Sequence, residues 1–398
     1  MVNPVLDAFD VLVLNHIAPA GLARLPAPRF RCAADLAAPH AIVLRSADLH
    51  RREIPASVLA IARAGAGTNN IPVEAMTARG VPVFNAPGAN ANAVKELVIA
   101  GMLMAARHIP DALRFVAALD VGSPELERTI EDGKKAFAGF ELAGQTLGVV
   151  GLGKIGCGVA DAAIALGMQV IGFDPDITVD AAWRLPSQVR RAASIDEVFR
   201  QARFVSLHVP LLAATRHLVD ARRLALMRPD AVLLNFSREG VVDHEAVAQA
   251  LGAGRPARYV CDFPGAALHH HPKVVALPHL GASTGEAEEN CAIMVCEQLR
   301  AFLEDGQASN AVNFPTVTLA RGTDFRVGIA NANVPNMLGQ MSTAMAAGGL
   351  NIHDMVNHAR GEIAYTLVDV DSPVGPEVLA ALRAIDGVLA VRYLPRLS

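Results

Sequence analysis

The sequence predicts an α/β protein: a doubly wound parallel sheet, a smaller α/β domain before it, and a βαββαβ module after it. Three observations carry this. Thr146 to Pro175 reads as strand, glycine turn, helix and second strand. Beyond it, apolar runs at 204–210, 231–236, 257–263 and 273–279 alternate with helical segments, as a parallel sheet with crossover helices requires. From Phe325 onward the pattern is strand, helix, two strands, helix, strand, the split βαβ order of a ferredoxin-like module.

The glycine turn organises the centre. Thr146–Val150 (TLGVV) is a short apolar strand that breaks into Gly151-Leu152-Gly153-Lys154-Ile155-Gly156. In such a turn the first glycine permits the tight exit from the strand. The second lets a pyrophosphate approach the backbone, and the third lets the helix pack closely. The following helix N-terminus then offers free N–H groups and a positive dipole end to the anion. Asp174 ends the next strand, where a carboxylate can hold both ribose hydroxyls. It would repel a 2′-phosphate, and no Lys or Arg follows before Arg184. NAD is therefore expected rather than NADP.

Upstream, VLVLN (11–15), AIVLR (41–45) and VPVFN (81–85) read as buried strands. SVLAIARAG (57–65) and VEAMTARG (73–80) between them read as helices ending at glycine. A long helix from Ala91 to His108 leads into the nucleotide fold through a charged, irregular stretch at 109–145. A second long amphipathic helix, 285–306, is expected to return to the first domain, and 308–324 reads as a linker. The expected domains are 1–95 with 285–310, 96–284, a linker at 311–324, and 325–398.

Composition narrows the class. The 398 residues are 52% hydrophobic and 19% charged, which gives ample core for two or three domains. A net charge of −4 argues against nucleic-acid or membrane-surface partners, and no apolar run suits a membrane helix. The five cysteines form no CxxC pair, so reduced thiols in a cytoplasmic protein are expected. His269-His270-His271 cannot all converge on one ion from an extended chain, so no metal is expected.

Hydride transfer needs a cation for a substrate carboxylate and a general base, placed at strand ends on the carboxyl edge of the sheet. Arg238 follows AVLLNF, and His279 ends KVVALPH. In the first domain, Arg45 ends a strand. The glycine-rich Ala64-Gly65-Ala66-Gly67-Thr68-Asn69-Asn70 offers backbone N–H groups suited to a small carboxylate or phosphate.

The GAGTNNI loop, VPVFNAPGANANAVKELVIAGML, GLGKIG, LHVPL, NFSREG and PHLGAST occur in order. Together they resemble the D-isomer-specific 2-hydroxyacid dehydrogenases over nearly the whole chain. The resemblance implies a Rossmann nucleotide-binding domain, a flavodoxin-like discontinuous substrate domain and a C-terminal ACT domain. It further implies NAD-dependent oxidation of D-3-phosphoglycerate to 3-phosphooxypyruvate, the first step toward L-serine, by a homodimer or homotetramer. His279 matches the acid/base, and Arg238 the arginine that binds the substrate carboxylate and polarises the reacting carbonyl. Cofactor contacts would come from Gly151, Gly153, Lys154, Ile155, Gly156, Asp174, Val209, Pro210, Phe236, Ser237, Asp262, Gly281 and Ala282. Asp262 matches the aspartate that holds the nicotinamide carboxamide. Arg45, Ala66 and Gly67 match substrate contacts; the second arginine often found two positions after Arg45 is Ala47 here. In the tail, Asn331, Asn333 and Asn351 stand where an L-serine effector would be held.

One departure matters. The family's glutamate partner for the catalytic histidine is missing: Asp262-Phe263-Pro264-Gly265-Ala266-Ala267 is one residue shorter, and no Glu lies between Asp262 and His279. Either Asp262 serves both cofactor and histidine, or an acid arrives from elsewhere. Two alternative functions stand beside the main one: a glyoxylate or hydroxypyruvate reductase of the same family and, left open by the absent glutamate, a non-catalytic NAD sensor.

Overall fold

The structure, a computed structural model, describes residues 7–396; the outermost residues of the first and last expected domains lie outside that range. The chain divides into two compact units, residues 1–90 with 285–398, and residues 91–284.

The first unit holds two sheets. Five parallel strands, β1 (Phe9–Val13), β2 (Phe30–Ala33), β3 (Ala41–Leu44), β4 (Ala60–Arg63) and β5 (Val83–Phe84), lie in the order β2-β1-β3-β4-β5. This is the flavodoxin-like order. The helix Gly285–Asp305 covers one face with Cys291, Val295, Leu299 and Phe302, whose helical spacing aligns them on one stripe. The helical assignment of SVLAIARAG is corrected, because its centre is β4. Ala60, Ile61 and Ala62 are buried on both faces of the sheet. A strand so enclosed shows no polar alternation and mimics a buried helix. The edge strand β2 was not foreseen either; it is short, and its Arg31 lies exposed, paired with Asp10.

The expected linker is also no loose connector. Ala311 bridges Phe84, Val312 donates to the Val83 carbonyl, and the Asn313 side chain accepts from the Val83 amide. Phe314 and Val317 are buried. The segment extends the β5 edge because its apolar residues have core to enter.

The last four strands, β13 (Phe325–Ala332), β14 (Ile352–Arg360), β15 (Ile363–Val370) and β16 (Val388–Pro395), form an antiparallel sheet in the order β14-β15-β13-β16. This is the ferredoxin-like arrangement. Helices Met337–Ala347 and Pro376–Arg383 cover one face. The other face presents Ala330, Tyr365 and Leu367 to Phe302 and Phe314, so it shares the first sheet's core. Hydrogen bonds fasten this contact. The Tyr365 hydroxyl donates to the Gly306 carbonyl at 2.8 Å, and Arg392 donates to the Phe302 and Leu303 carbonyls at 2.9 and 2.8 Å. Arg326 donates to the Asp305 carbonyl and makes a two-pronged pair with Asp369 at 2.6 and 2.9 Å, both side chains fully buried.

In the second unit, β6 (Thr146–Val150), β7 (Gln169–Phe173), β8 (Arg190–Arg191), β9 (Phe204–Leu207), β10 (Val232–Asn235), β11 (Arg258–Cys261) and β12 (Val274–Ala276) form one parallel sheet. Its order is β12-β11-β10-β9-β6-β7-β8. The order reverses between β6 and β9, the switch point at which doubly wound folds bind ligands. Helices Ala91–Ala106 and Lys154–Ala165 pack on one face; Ile195–Gln201, Ala221–Leu226 and His244–Gly252 pack on the other.

Breaking the buried Arg326–Asp369 pair from one side leaves a charge without a partner. Asp369→Ala should cost roughly 3–5 kcal/mol in urea unfolding. Burial alone would raise the Asp369 carboxyl, but the bonds from Arg326 and the Gly322 amide outweigh it and hold the pKa below its ordinary value. That stability is present above the unfolded pKa of about 3.9 and is lost as pH falls through the depressed folded value. The double variant Arg326→Met/Asp369→Leu should therefore lose less stability on acidification than wild type.

Candidate functional site

At the switch point, β6 and β9 end side by side, and the His208 amide donates to the Val150 carbonyl at 2.7 Å. Gly151 turns there with φ of 92°, and a Cβ on it would stand 2.7 Å from the His208 carbonyl oxygen. Gly156 is tighter still, since its Cβ would meet the Gly151 carbonyl oxygen at 2.0 Å. Gly153 is extended at the N-cap of helix Lys154–Ala165, and a Cβ added there would meet nothing within 4 Å. Two glycines are thus required by the turn itself, and the third opens onto free space before a helix N-terminus. That is the room a pyrophosphate needs.

Asp174 braces the same turn. One carboxylate oxygen accepts the Leu152 amide at 2.7 Å, the other the Asp176 amide at 3.0 Å. The acid that would face the ribose also fixes the loop that would face the phosphates. Lys154 opens the helix, and Ile155 is half-buried behind it. These residues fit a bound dinucleotide. On the β9 side, Val209 is half-buried and Pro210 exposed. His208 keeps some surface, but its Nδ1 is buried and lacks a partner among the described residues. Desolvation pushes its pKa down to about 4, so the ring is neutral and meets the Ser206 hydroxyl at 2.9 Å.

After β10 the backbone is shaped by Asn235, which is fully buried. Its amide donates to the Arg238 carbonyl at 3.0 Å, while its oxygen accepts the Ser237 amide and hydroxyl at 3.1 and 2.8 Å. Arg238 is thereby presented at the strand end with its side chain exposed, one guanidinium N–H on the Ser237 carbonyl. Desolvation lowers its pKa, but solvent exposure keeps it charged. The Phe236 ring is core, packed toward Gly101 of helix Ala91–Ala106; only its backbone remains for a cofactor.

His279 has a left-handed backbone, φ 59°. Its amide donates to the Asp262 carbonyl at 3.0 Å, and the next two amides, Leu280 and Gly281, each donate to one Asp262 carboxylate oxygen at 2.7 Å. Asp262, only 1% exposed, therefore clamps the backbone that carries the histidine. Beside the exposed imidazole stands the Phe263 ring, centroids 5.1 Å apart. Within this unit no described carboxylate hydrogen-bonds the ring. Ala282 follows the clamp, half-buried.

In the first unit, Arg45 leaves the carboxyl end of β3 and pairs with Glu288 at 2.7 Å, both partly exposed. Its carbonyl accepts from Arg63 Nε and the Asn70 amide, and Ala66's carbonyl accepts from Asn85. A Cβ on Gly65 would lie 2.4 Å from Arg63 Nη1. The loop containing Ala66 and Gly67 thus runs past the Arg63 guanidinium, and Arg63 is tied to the Arg45 carbonyl. Arg63 was missed because reading its segment as a helix hid that it ends a strand on the carboxyl edge. Asn235 and Glu288 were missed as well; a buried asparagine closing an apolar strand was the available signal for the first.

The three tail asparagines do not converge. The Asn333 amide donates to Gly361 at the β14–β15 turn, and Asn331 is buried at a bulge in β13 near that end. Asn351 meets Asp371 at the opposite end, beyond Ile352 and Val370. The length of β15 separates them, about 25 Å at ~3.4 Å per residue.

The glycine geometry gives a paired expectation. Gly156→Ala should lower the thermal midpoint and abolish NADH binding, because a carbonyl occupies the new methyl's place. Gly153→Ala should leave the midpoint unchanged and raise the NADH Kd at least tenfold by fluorescence titration. Equal effects at both positions would contradict this division of roles.

Residues 99–281 match the family model described as D-isomer specific 2-hydroxyacid dehydrogenase, NAD binding domain. The D-3-phosphoglycerate dehydrogenase of Haemophilus influenzae is 32% identical over 342 residues, 82% of this chain and 79% of that protein. The enzyme of that name from Methanocaldococcus jannaschii is 40% identical over 263 residues; the match takes in 65% of this chain but only 48% of that protein's length. Among solved structures, a glyoxylate reductase of Paecilomyes thermophila superposes with a TM-score of 0.65 at 25% identity, covering 77% of this chain and 99% of that one. With the switch-point turn and the Asp262 clamp, these similarities lead to one conclusion: the chain belongs to the D-isomer-specific 2-hydroxyacid dehydrogenase family.

Proposed function

We propose that the protein oxidises D-3-phosphoglycerate to 3-phosphooxypyruvate with NAD, at the first step toward L-serine. The observation that carries the substrate choice is the first unit's cation site. Arg45 stands partly exposed at the carboxyl end of β3, and Arg63, at the end of β4, lies against Gly65 of the glycine-rich loop, a pair of cations suited to a phosphate. The similarity to phosphoglycerate dehydrogenases supports it.

In this reading Arg238 binds the substrate carboxylate and stabilises charge on the C2 oxygen. His279 takes the hydroxyl proton as the C2–O bond becomes a carbonyl. The glycine turn and Asp174 would hold NAD, which would supply the acceptor for the C2 hydride. Asp262 holds the His279 backbone in place, and Asp174 and the glycine turn hold the dinucleotide.

Glu288 is an internal counter-ion for Arg45 that the substrate phosphate must displace. Helix Ile109–Ala117 and the turn after it leave Leu113, Val116 and Val121 more than half exposed, which supports a homo-oligomer. Serine binding by the ACT-like module would then need a second copy, whose Asn351 could lie beside Asn331 and Asn333 of the first. Cysteines that are all free, four of them buried, fit a cytoplasmic setting.

The deciding measurement is NADH formation from D-3-phosphoglycerate, D-glycerate and D-lactate, in wild type and His279→Ala. Preference for the phosphorylated acid, abolished in the variant, is the expected result. Activity on the unphosphorylated acids alone would support the reductase reading, and NAD binding without turnover the sensor. Arg45→Ala should raise KM for the phosphorylated acid by ten- to a hundredfold with little change in kcat, corresponding to about 1.5–3 kcal/mol of charge-assisted hydrogen bonding. Glu288→Gln should lower that KM and leave the unphosphorylated acids unaffected.

A further inference from the structure

A cleft of about 300 Å³ lies where the C-terminal module meets the first sheet, away from every residue assigned above to substrate or cofactor. One wall comes from Ala56, Val58, Leu59 and Arg79-Gly80-Val81, the other from β16 and from Arg383 at the end of helix Pro376–Arg383. Arg79, Arg383 and Arg392 all line it, and none of its lining residues is acidic. Among the described residues, no carboxylate lies within ion-pair distance of any of the three.

Their hydrogen bonds are few. Arg79 spends two N–H groups on the Ile54 and Pro55 carbonyls, and Arg392 two on Phe302 and Leu303. Arg383 makes a single long contact, 3.4 Å, with the Val391 carbonyl. A guanidinium carries five donors, so each retains several. Arg392 is only 8% exposed, and burial without a facing acid draws its pKa down to about 10. Buried charge is ordinarily paired; here carbonyl dipoles and the face of the Phe302 ring are its company.

The geometry points to a second anion site, in which these three arginines bind a small multivalent oxyanion, inorganic phosphate or a phosphomonoester, across the seam between module and first sheet. Guanidinium forks match phosphate oxygens two at a time, and the volume is at the lower end of small-molecule sites. Aliphatic Val58, Leu59, Val388 and Leu389 would border an organic portion. Leu59 directly precedes β4, which ends at Arg63, so the ligand would act on the strand that carries the substrate loop. That last consequence rests on the proposed function; binding itself does not.

The test is calorimetric titration of the full chain with inorganic phosphate at low ionic strength. The background is Arg45→Ala/Arg63→Ala/Arg238→Ala, which removes the arginines assigned to substrate. One saturable phosphate per chain is expected, weakened at least tenfold by adding Arg383→Ala and only partly restored by Arg383→Lys. An unchanged thermal midpoint without phosphate would confirm that Arg383→Ala folds; if it does not, Arg79→Lys replaces it in the same titration. Absence of saturable binding in the background protein, or binding indifferent to these substitutions, would overturn the site. Because the background lacks the substrate arginines, failure here leaves the substrate assignment standing.

Discussion

The C-terminus of helix Gly285–Asp305 is the junction on which the first unit depends. A helix ends with carbonyls that no later amide reaches, and a buried helix end must find other donors. Here the donors come from the C-terminal module and the segment leading to it. Arg392 takes Phe302 and Leu303, Arg321 takes Glu304, Arg326 takes Asp305, and Tyr365 takes Gly306. Cations at a helix C-terminus also answer its negative dipole end. The module is therefore fastened by a set of hydrogen bonds to that helix end, where the Phe302 carbonyl also accepts the Gly306 amide. The same helix, about 30 Å long at ~1.5 Å per residue, presents Glu288 to Arg45 near its other end. A single rod thus joins the module's anchor to the candidate phosphate arginine.

The nucleotide unit uses the same device on a smaller scale. Asp174, Asn235 and Asp262 each stand at or just beyond the end of a central strand and accept or donate bonds to the backbone of the functional loop. Side chains with several acceptors, two of them buried, hold loops that otherwise carry unpaired amides. Part of each loop's backbone is thereby tied to the strand ends.

What the sequence made legible follows the same physics. The glycine turn was readable because sterics leave little choice: positive φ at Gly151 and a 2.0 Å clearance at Gly156 admit no side chain. The split βαβ tail was readable because its strands and helices are long enough to show their period. β4 was not, because three small or apolar residues buried on both faces carry no period at all. That one error concealed Arg63. The segment at 308–324 was read as a linker, whereas Phe314 and Val317 are buried in the core. The asparagines of the tail were chosen by position along the chain, and the antiparallel register that separates them is invisible there.

The missing glutamate is where resemblance and structure part most instructively. A histidine is usually oriented by an acid on its ring. Here Asp262 spends both carboxylate oxygens on the two amides after His279, and its carbonyl on the His279 amide itself. Those bonds hold a left-handed backbone that costs a non-glycine residue energy, and the Phe263 ring limits where the imidazole can swing. Orientation has moved from the ring to the main chain. A carboxylate on the ring would act on the imidazole directly, whereas this clamp acts on the main chain that carries it. The shortened loop is consistent with that arrangement, since no residue in it has to reach back to the imidazole.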